Sequence, residues 1–441
     1  MKYPARLNPL FVVALALSVY GDSLPFRANF SDSPQPFNID VDKDFIDNTV
    51  LKASLTRFVT PVDEKEYLEG PPVHNATTVR DYWVNEYNWY NTQNRLNQKL
   101  HQYTTTVKLN TSAQYSQPIP LHFVHHRSPR VDAIPLLFIH GWPGSFIEVE
   151  NIIDGLTNPP NATLPAFHVV APSIPGFAFS PAVVATGFGD YEAAQAFHAL
   201  MMQLEYEKYV IQAGDVGGII LRYQAHLFPD NVLAGLDNFW VVSPSETDRE
   251  RYSRNQTTAD ETYIIDSLDS FFDNLWGYGQ IQQTRPLKLA HAMTDSPVGL
   301  AMWIYDAVIQ AVENRDVWTP EEIITWTMMH YIQGPYGGFR LYREGALNGA
   351  FNLTAFNDLP PVSQPVAISE FPLDIWYRTP LEWAQRTGNV QKRYIHDYGG
   401  HFPAWETPDL LLDDIWDFFG DLDILNSYRQ IRLETGNDVT I

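Results

Sequence analysis

Asp215 stands in the stretch Y-V-I-Q-A-G-D-V-G-G (209–218), with Gly214 before it, Gly217 and Gly218 after it, and Ala213 two residues back. Apolar Tyr209, Val210 and Ile211 suit a buried strand, and Ile219, Ile220, Leu221 and Tyr223 open a helical pattern that Pro229 closes. A strand turning this sharply into a helix needs tiny neighbours, and it projects the side chain at its tip as a nucleophile. Serine is the usual occupant. A carboxylate there would attack directly, and it then needs a general base, with an acid to orient that base. The same Asp could instead N-cap the helix that follows it. His401, in Y-G-G-H-F on a glycine turn after the last strand signal, is the candidate base. Asp374, in F-P-L-D after the preceding strand signal, is the candidate acid, and a solvated loop acid or a helix cap would read the same way. Residues 140–145, H-G-W-P-G-S, leave another strand signal, and the Trp142 backbone N–H occupies a donor position toward the same site.

These residues need a scaffold that brings distant loops together. Continuous apolar runs at 133–139, 167–171, 209–213 and 233–242 read as buried parallel strands, and a helix over 191–204 separates two of them. Their alternation predicts a doubly wound, mostly parallel sheet, with His140 and Asp215 at the carboxyl ends of its strands. Residues 245–348 hold helical patterns over 262–275, 285–293, 299–313 and 321–331 and almost no strand signal, which reads as an inserted helical lid. Strands over 366–369 and 390–395 resume the sheet, and a helix over 410–419 closes it. Ahead of the core, helices over 44–60 and 78–103 and a strand pair, 104–109 and 119–125, predict an N-terminal arm lying across the core. The organisation expected is a signal peptide at 1–21, the arm at 22–130, the core at 131–244 and 349–441, and the lid at 245–348.

With 441 residues, 45% of them hydrophobic, the chain can bury a large core. A formal charge of −23 argues against nucleic acid and anionic membrane surfaces as partners. The chain has no Cys, so disulfides, thiol catalysis and zinc–thiolate sites are excluded. Lys2 and Arg6 precede a short apolar run at 10–20, with small Val19 and Gly21 at its end, as in a cleavable secretory signal. Sequons at Asn29, Asn75, Asn110, Asn161, Asn255 and Asn352 fit a secreted glycoprotein, and an uncleaved anchor in the endoplasmic reticulum is the alternative.

Several motifs together carry a resemblance. P-F-N-I-D, L-T-R-F, D-Y-W-V-N-E-Y-N-W and R-L-N in the arm are followed by H-G-W-P-G-S-F-I-E, A-G-D-V-G-G, F-P-L-D and G-G-H-F-P-A-W-E in the core. G-Y-G-Q-I-Q-Q-T-R-P and D-S-P-V-G-L-A-M-W-I lie in the lid. From about residue 36 to 419, in this order, the chain resembles the microsomal-type epoxide hydrolases of the α/β-hydrolase superfamily. The resemblance implies the α/β-hydrolase fold and a covalent route from an apolar epoxide and water to a vicinal diol. Asp215 would attack an epoxide carbon, already ionised and with no proton to lose. Two lid tyrosines, Tyr278 in G-Y-G-Q-I-Q and Tyr342 in F-R-L-Y-R-E, would serve the departing ring oxygen. His401, oriented by Asp374, would activate the water that cleaves the ester, and the N–H groups of Trp142 and Val216 would hold the oxyanion. Trp142, Tyr278 and Tyr342 would also line the substrate site.

Two positions depart from the pattern. Asp374 stands where mammalian relatives commonly carry Glu, and Val216 where many members have Trp; the first bears on rate and the second on pocket shape. No cofactor or metal is expected, and the assembly would be a monomer or homodimer. A haloalkane dehalogenase would share Asp215 and His401 but need halide donors in place of the tyrosines. An inactive relative serving as a binding protein would have no reason to keep all five residues.

Overall fold

The computed structural model describes residues 24–62, 67–109, 115–347, 356–423, 425, 426 and 428. The expected signal segment therefore lies outside the described residues, as do Asn110 and Asn352.

One nine-stranded sheet runs through the described chain. In chain order its strands are β1 (Gln35–Phe37), β2 (Gln102–Val107), β3 (Ile119–His126), β4 (Ile134–Ile139), β5 (Phe167–Pro172), β6 (Tyr209–Ala213), β7 (Val232–Asp237), β8 (Val362–Glu370) and β9 (Gly388–Ile395). Across the sheet they lie in the order β1-β2-β3-β5-β4-β6-β7-β8-β9. The six strands from β5 to β9 pair in parallel. Strands β1 to β3 continue the same sheet antiparallel from β5. This is the doubly wound, mostly parallel sheet that the apolar runs predict. Every residue of β4, β5, β6 and β7 is buried, as strands covered on both faces must be.

The helices are α1 (Lys43–Ser54), α2 (Val73–Asn85), α3 (Trp89–Lys99), α4 (Ile153–Thr157), α5 (Asp190–Gln203), α6 (Val216–Leu227), α7 (Glu246–Ser253), α8 (Ala259–Asn274), α9 (Gly277–Thr284), α10 (Pro286–Asp295), α11 (Pro297–Ile309), α12 (Pro320–Tyr331), α13 (Tyr336–Leu347), α14 (Leu381–Gln385), α15 (Pro403–Glu406) and α16 (Pro408–Asp421). Helices α7 to α13 form the insertion between β7 and β8.

Four expectations need correction. The arm does not lie across the core: its strands extend the sheet edge, and its helices α1 and α2 pack on α11 and α12 of the insertion. The helix expected over 44–60 ends at Ser54, because Leu55, Val59 and Val62 are exposed and have no core to reward further turns. The single helix expected over 78–103 is two. Asn88 breaks it by accepting the Tyr90 N–H as an N-cap, and Gln102 and Tyr103 belong to β2. The strand expected over 233–242 stops at Asp237, whose carboxylate turns back to accept the Phe239 N–H at 2.8 Å.

Candidate active site

Asp215 sits between β6 and α6 with φ 52° and ψ −131°. Such a conformation costs a non-glycine residue on the order of 1–3 kcal/mol, so the surroundings must enforce it. Gly217 allows the enforcement: a Cβ there would lie 2.3 Å from the Ile139 carbonyl oxygen, so only glycine lets α6 start this close to β4. A Cβ at Gly141 would meet Asp215 Oδ1 at 2.2 Å, so the carboxylate occupies the space a side chain would take. Asp215 holds the N-cap position but makes no side-chain cap bond. Instead Oδ1 accepts the Trp142 N–H at 2.7 Å, and Oδ2 lies 3.4 Å from His401 Nε2. The carboxylate faces the site rather than capping the helix. Val216, next to Asp215 at the first position of α6, has an N–H without an intrahelical acceptor.

His401 follows β9 and is held from two sides. Its N–H donates to the Ala311 carbonyl in the loop after α11, at 2.8 Å, so the insertion fixes the base. Its Nδ1 lies 2.6 Å from Asp374 Oδ2, while Asp374 Oδ1 accepts the Trp376 N–H at 2.9 Å. Asp374 is buried, so it is neither a solvated loop acid nor a free cap. Phe239 packs edge-on against the imidazole with ring centroids 5.0 Å apart. Burial alone would depress the His401 pKa, but the charges of Asp374 and Asp215 outweigh it and raise it to about 10. The raised value favours the imidazolium form of His401 in the free site, where it lies against Asp374 and Asp215.

The tyrosines come from α9 and α13, which pack together. The Tyr278 ring stacks on Trp142 at 5.0 Å, and Tyr342 meets Trp142 edge-on at 5.8 Å. The two tyrosine rings lie 6.1 Å apart, with a side-chain hydrogen bond between them. Burial, and then the neighbouring charge of Asp215, push the Tyr278 phenol well above its ordinary value, and Tyr342 is raised mainly by burial. Both therefore keep their protons and remain donors. Tyr278, Asp215 and His401 line one cavity, walled by apolar Phe239, Phe271 and Leu275. The structure thus brings all seven expected site residues to one place.

The turn that carries Trp142 is anchored by two histidines. His140 Nε2 accepts the Ile174 N–H at 3.1 Å, and burial lowers its pKa to about 4, keeping it neutral. His330 of α12 donates Nε2–H to the Pro143 carbonyl at 2.7 Å. Sequence reasoning assigned no role to Glu148, although it lies within H-G-W-P-G-S-F-I-E. An acid set between Ile147 and Val149, two residues before Glu150, was the available signal, and it is buried in the wall of a small cavity shared with Asp215.

Residues 34–149 match a family model for the epoxide hydrolase N terminus, and 134–236 match the alpha/beta hydrolase fold. Juvenile hormone epoxide hydrolase 2 of Ctenocephalides felis is 28% identical over 87% of this chain and 85% of its own. Epoxide hydrolase 1 of Sus scrofa is 28% identical over 88% of this chain and 89% of its own. Over most of its length the chain is similar to epoxide hydrolases, and it is an enzyme of that kind. Among solved structures, the Aspergillus niger epoxide hydrolase superposes with a TM-score of 0.75 at 26% identity, covering 90% of this enzyme and 97% of that chain. As an epoxide hydrolase the enzyme has its charged pair of Asp215 and His401 at the sheet's carboxyl edge and its tyrosine pair in the insertion above it.

Proposed function

We propose that the enzyme converts an apolar epoxide and water to a vicinal diol through an ester on Asp215. The observation that carries the reading is the three-sided setting of the Asp215 carboxylate: Trp142 N–H on one oxygen, His401 on the other, and Tyr278 in the same cavity. One carboxylate oxygen forms a bond to an epoxide carbon and the ring C–O bond breaks. The alkoxide is far too basic to leave unaided, and the Tyr278–Tyr342 pair gives it a proton. The ester has no charge, so His401 loses one of the two carboxylates that hold its proton; it releases that proton to solvent, becomes a base, and regains a proton from solvent once the Asp215 carboxylate is restored. Water then attacks the ester carbonyl, with the N–H groups of Trp142 and Val216 on the oxyanion. Apolar walls at Phe239, Phe271 and Leu275 fit an apolar substrate.

The same reading treats residues 22–130 as the arm, 245–348 as the lid and the remainder as the core. It takes residues 1–21 as a cleaved secretory signal. No helix among the described residues is long and apolar enough to cross a membrane.

Halide release would call for halide donors in place of the tyrosines, and the Tyr278–Tyr342 pair packed on Trp142 fits a departing alkoxide instead. The test is turnover of an aryl epoxide and a chloroalkane by the wild type, each Tyr→Phe variant and the double variant. The epoxide alone should be turned over. Tyr278→Phe and Tyr342→Phe should each retain slowed alkylation, and the double variant should lose it by about 100-fold or more. Full activity in the double variant would remove the tyrosines from the mechanism.

A further inference from the structure

Behind the nucleophile lies a second, smaller cavity, separate from the one the tyrosines cover. Asp215, His401, Glu148, Gln212 and Asn238 contribute to its wall. The volume open to the centre of a water-sized sphere is about 10 Å³, about what one water needs when polar partners surround it. Two acceptors there have no partner: Glu148 Oε1 and Gln212 Oε1 are both buried and unbonded. An unsatisfied buried oxygen costs about 1–3 kcal/mol, so two of them on one small cavity call for an occupant with hydrogens to give. Glycine makes room for one of them. A Cβ at Gly144 would lie 1.7 Å from Glu148 Oε1, so the carboxyl sits directly over that residue. Gln212 is held by its own amide, which donates to Asn238 Oδ1 at 3.0 Å.

We propose that this cavity holds the hydrolytic water and that Glu148 is its positioning residue. The inference rests on the ester route above and adds the place from which the water attacks. The water gives one hydrogen toward His401 Nε2 and the other to Glu148 Oε1, which leaves a lone pair for the ester carbonyl carbon of Asp215. As the C–O bond forms, the first proton passes to His401. The tetrahedral intermediate then expels the diol oxygen, which takes that proton from His401. The second proton stays on the new oxygen of Asp215. Its loss restores the carboxylate and replaces the proton that the tyrosines gave to the ring oxygen, so the cycle closes. Burial drives the Glu148 carboxyl up to about 8, with the His401 charge opposing and the Asp215 charge adding to the shift. A neutral carboxyl is closely matched by an amide, and this gives the inference a rescue test.

Single-turnover kinetics on the whole enzyme, with an aryl epoxide and mass detection of the esterified protein, separate the two steps. Glu148→Leu should alkylate at the wild-type rate but hydrolyse about tenfold more slowly or worse, the loss expected for one hydrogen bond. Ester should accumulate, and kcat and KM should fall together with kcat/KM unchanged. Glu148→Gln should keep hydrolysis within about threefold of the wild type, since its amide oxygen still accepts. Unchanged hydrolysis in Glu148→Leu, equal losses in both steps, or a Gln variant as slow as the Leu variant would each overturn the proposal. A high-resolution crystal structure of the wild type tests it without any substitution. An ordered water bonded to Glu148 Oε1 is expected, and an empty cavity contradicts it. His401→Gln serves as the control for the route itself. Ester accumulating there but not in Glu148→Leu defeats the role of Glu148 alone, and ester in neither defeats the covalent reading.

Discussion

At the scale of single residues, the charge on His401 organises the site. Its pKa is raised to about 10 in the fold, against about 6.5 in an unfolded chain. A raised folded value means that the charged form stabilises the fold. The contribution is complete below about pH 6.5 and fades as pH climbs through about 10. Wild-type melting temperature should therefore fall more steeply than that of His401→Gln between these limits, and parallel curves would contradict the ion-paired resting state. The same linkage orders the chemistry. Alkylation uses the Asp215 carboxylate and tolerates an imidazolium, whereas ester hydrolysis needs neutral His401. Hydrolysis should accordingly quicken with rising pH, by up to about tenfold per unit, where alkylation stays flat. The glycine spacing singled out Asp215 but left a helix cap as an equal reading, and His401 stood out by its place on a glycine turn after the last strand. Asp374 needed the resemblance to rise above a loop acid, because nothing in F-P-L-D shows that its carboxylate is buried against Nδ1.

Elements explain why some of the site was hidden in the sequence. Strands β4, β5 and β6 announce themselves as continuous apolar runs, and the described strands match those runs to within a residue or two. Helices α9 and α13 carry the tyrosines yet gave no helical signal. G-Y-G-Q-I-Q-Q-T and Y-G-G-F-R-L-Y-R-E-G-A-L are rich in glycine, which disfavours helix by about 1 kcal/mol per residue. Packing of one helix on the other compensates for that weakness, and packing cannot be read from either segment alone. The elbow gives the prediction proper to this scale. Gly217→Ala would force its Cβ toward the Ile139 carbonyl, a backbone atom that cannot swing aside. Denaturant unfolding should show a loss of about 1–3 kcal/mol, with alkylation reduced as Asp215 shifts. A variant of wild-type stability and rate would mean that the elbow is looser than drawn.

Over the whole molecule, the insertion and the arm act as one cover on the sheet's catalytic edge. Helices α1 and α2 pack on α11 and α12, and the loop after α11 holds the backbone of His401. That coupling was not legible, since the arm and the insertion are far apart in sequence. The expectation of glycosylation can be sorted by surface. Asn29, Asn161 and Asn255 are exposed. Asn75 is half-buried in α2, where its Nδ2 donates to the Tyr305 hydroxyl at 2.7 Å and its Oδ1 is buried. Protein made in a eukaryotic secretory host should carry glycans at the first three and none at Asn75 by glycopeptide mass spectrometry. A glycan at Asn75 would require this part of the arm to be rearranged.

The central claim is that oxygen from Asp215, not from solvent, enters the diol first. A single turnover with enzyme in excess, run in heavy-oxygen water, decides it by mass spectrometry of both products. The covalent route predicts unlabelled diol and one heavy oxygen in the Asp215 carboxylate, delivered when water cleaves the ester at its carbonyl. His401→Gln should form the ester and stall, and Asp215→Ala should do neither step. Labelled diol from the first turnover, with an unlabelled Asp215, would contradict the account and leave Asp215 as a base that activates water directly.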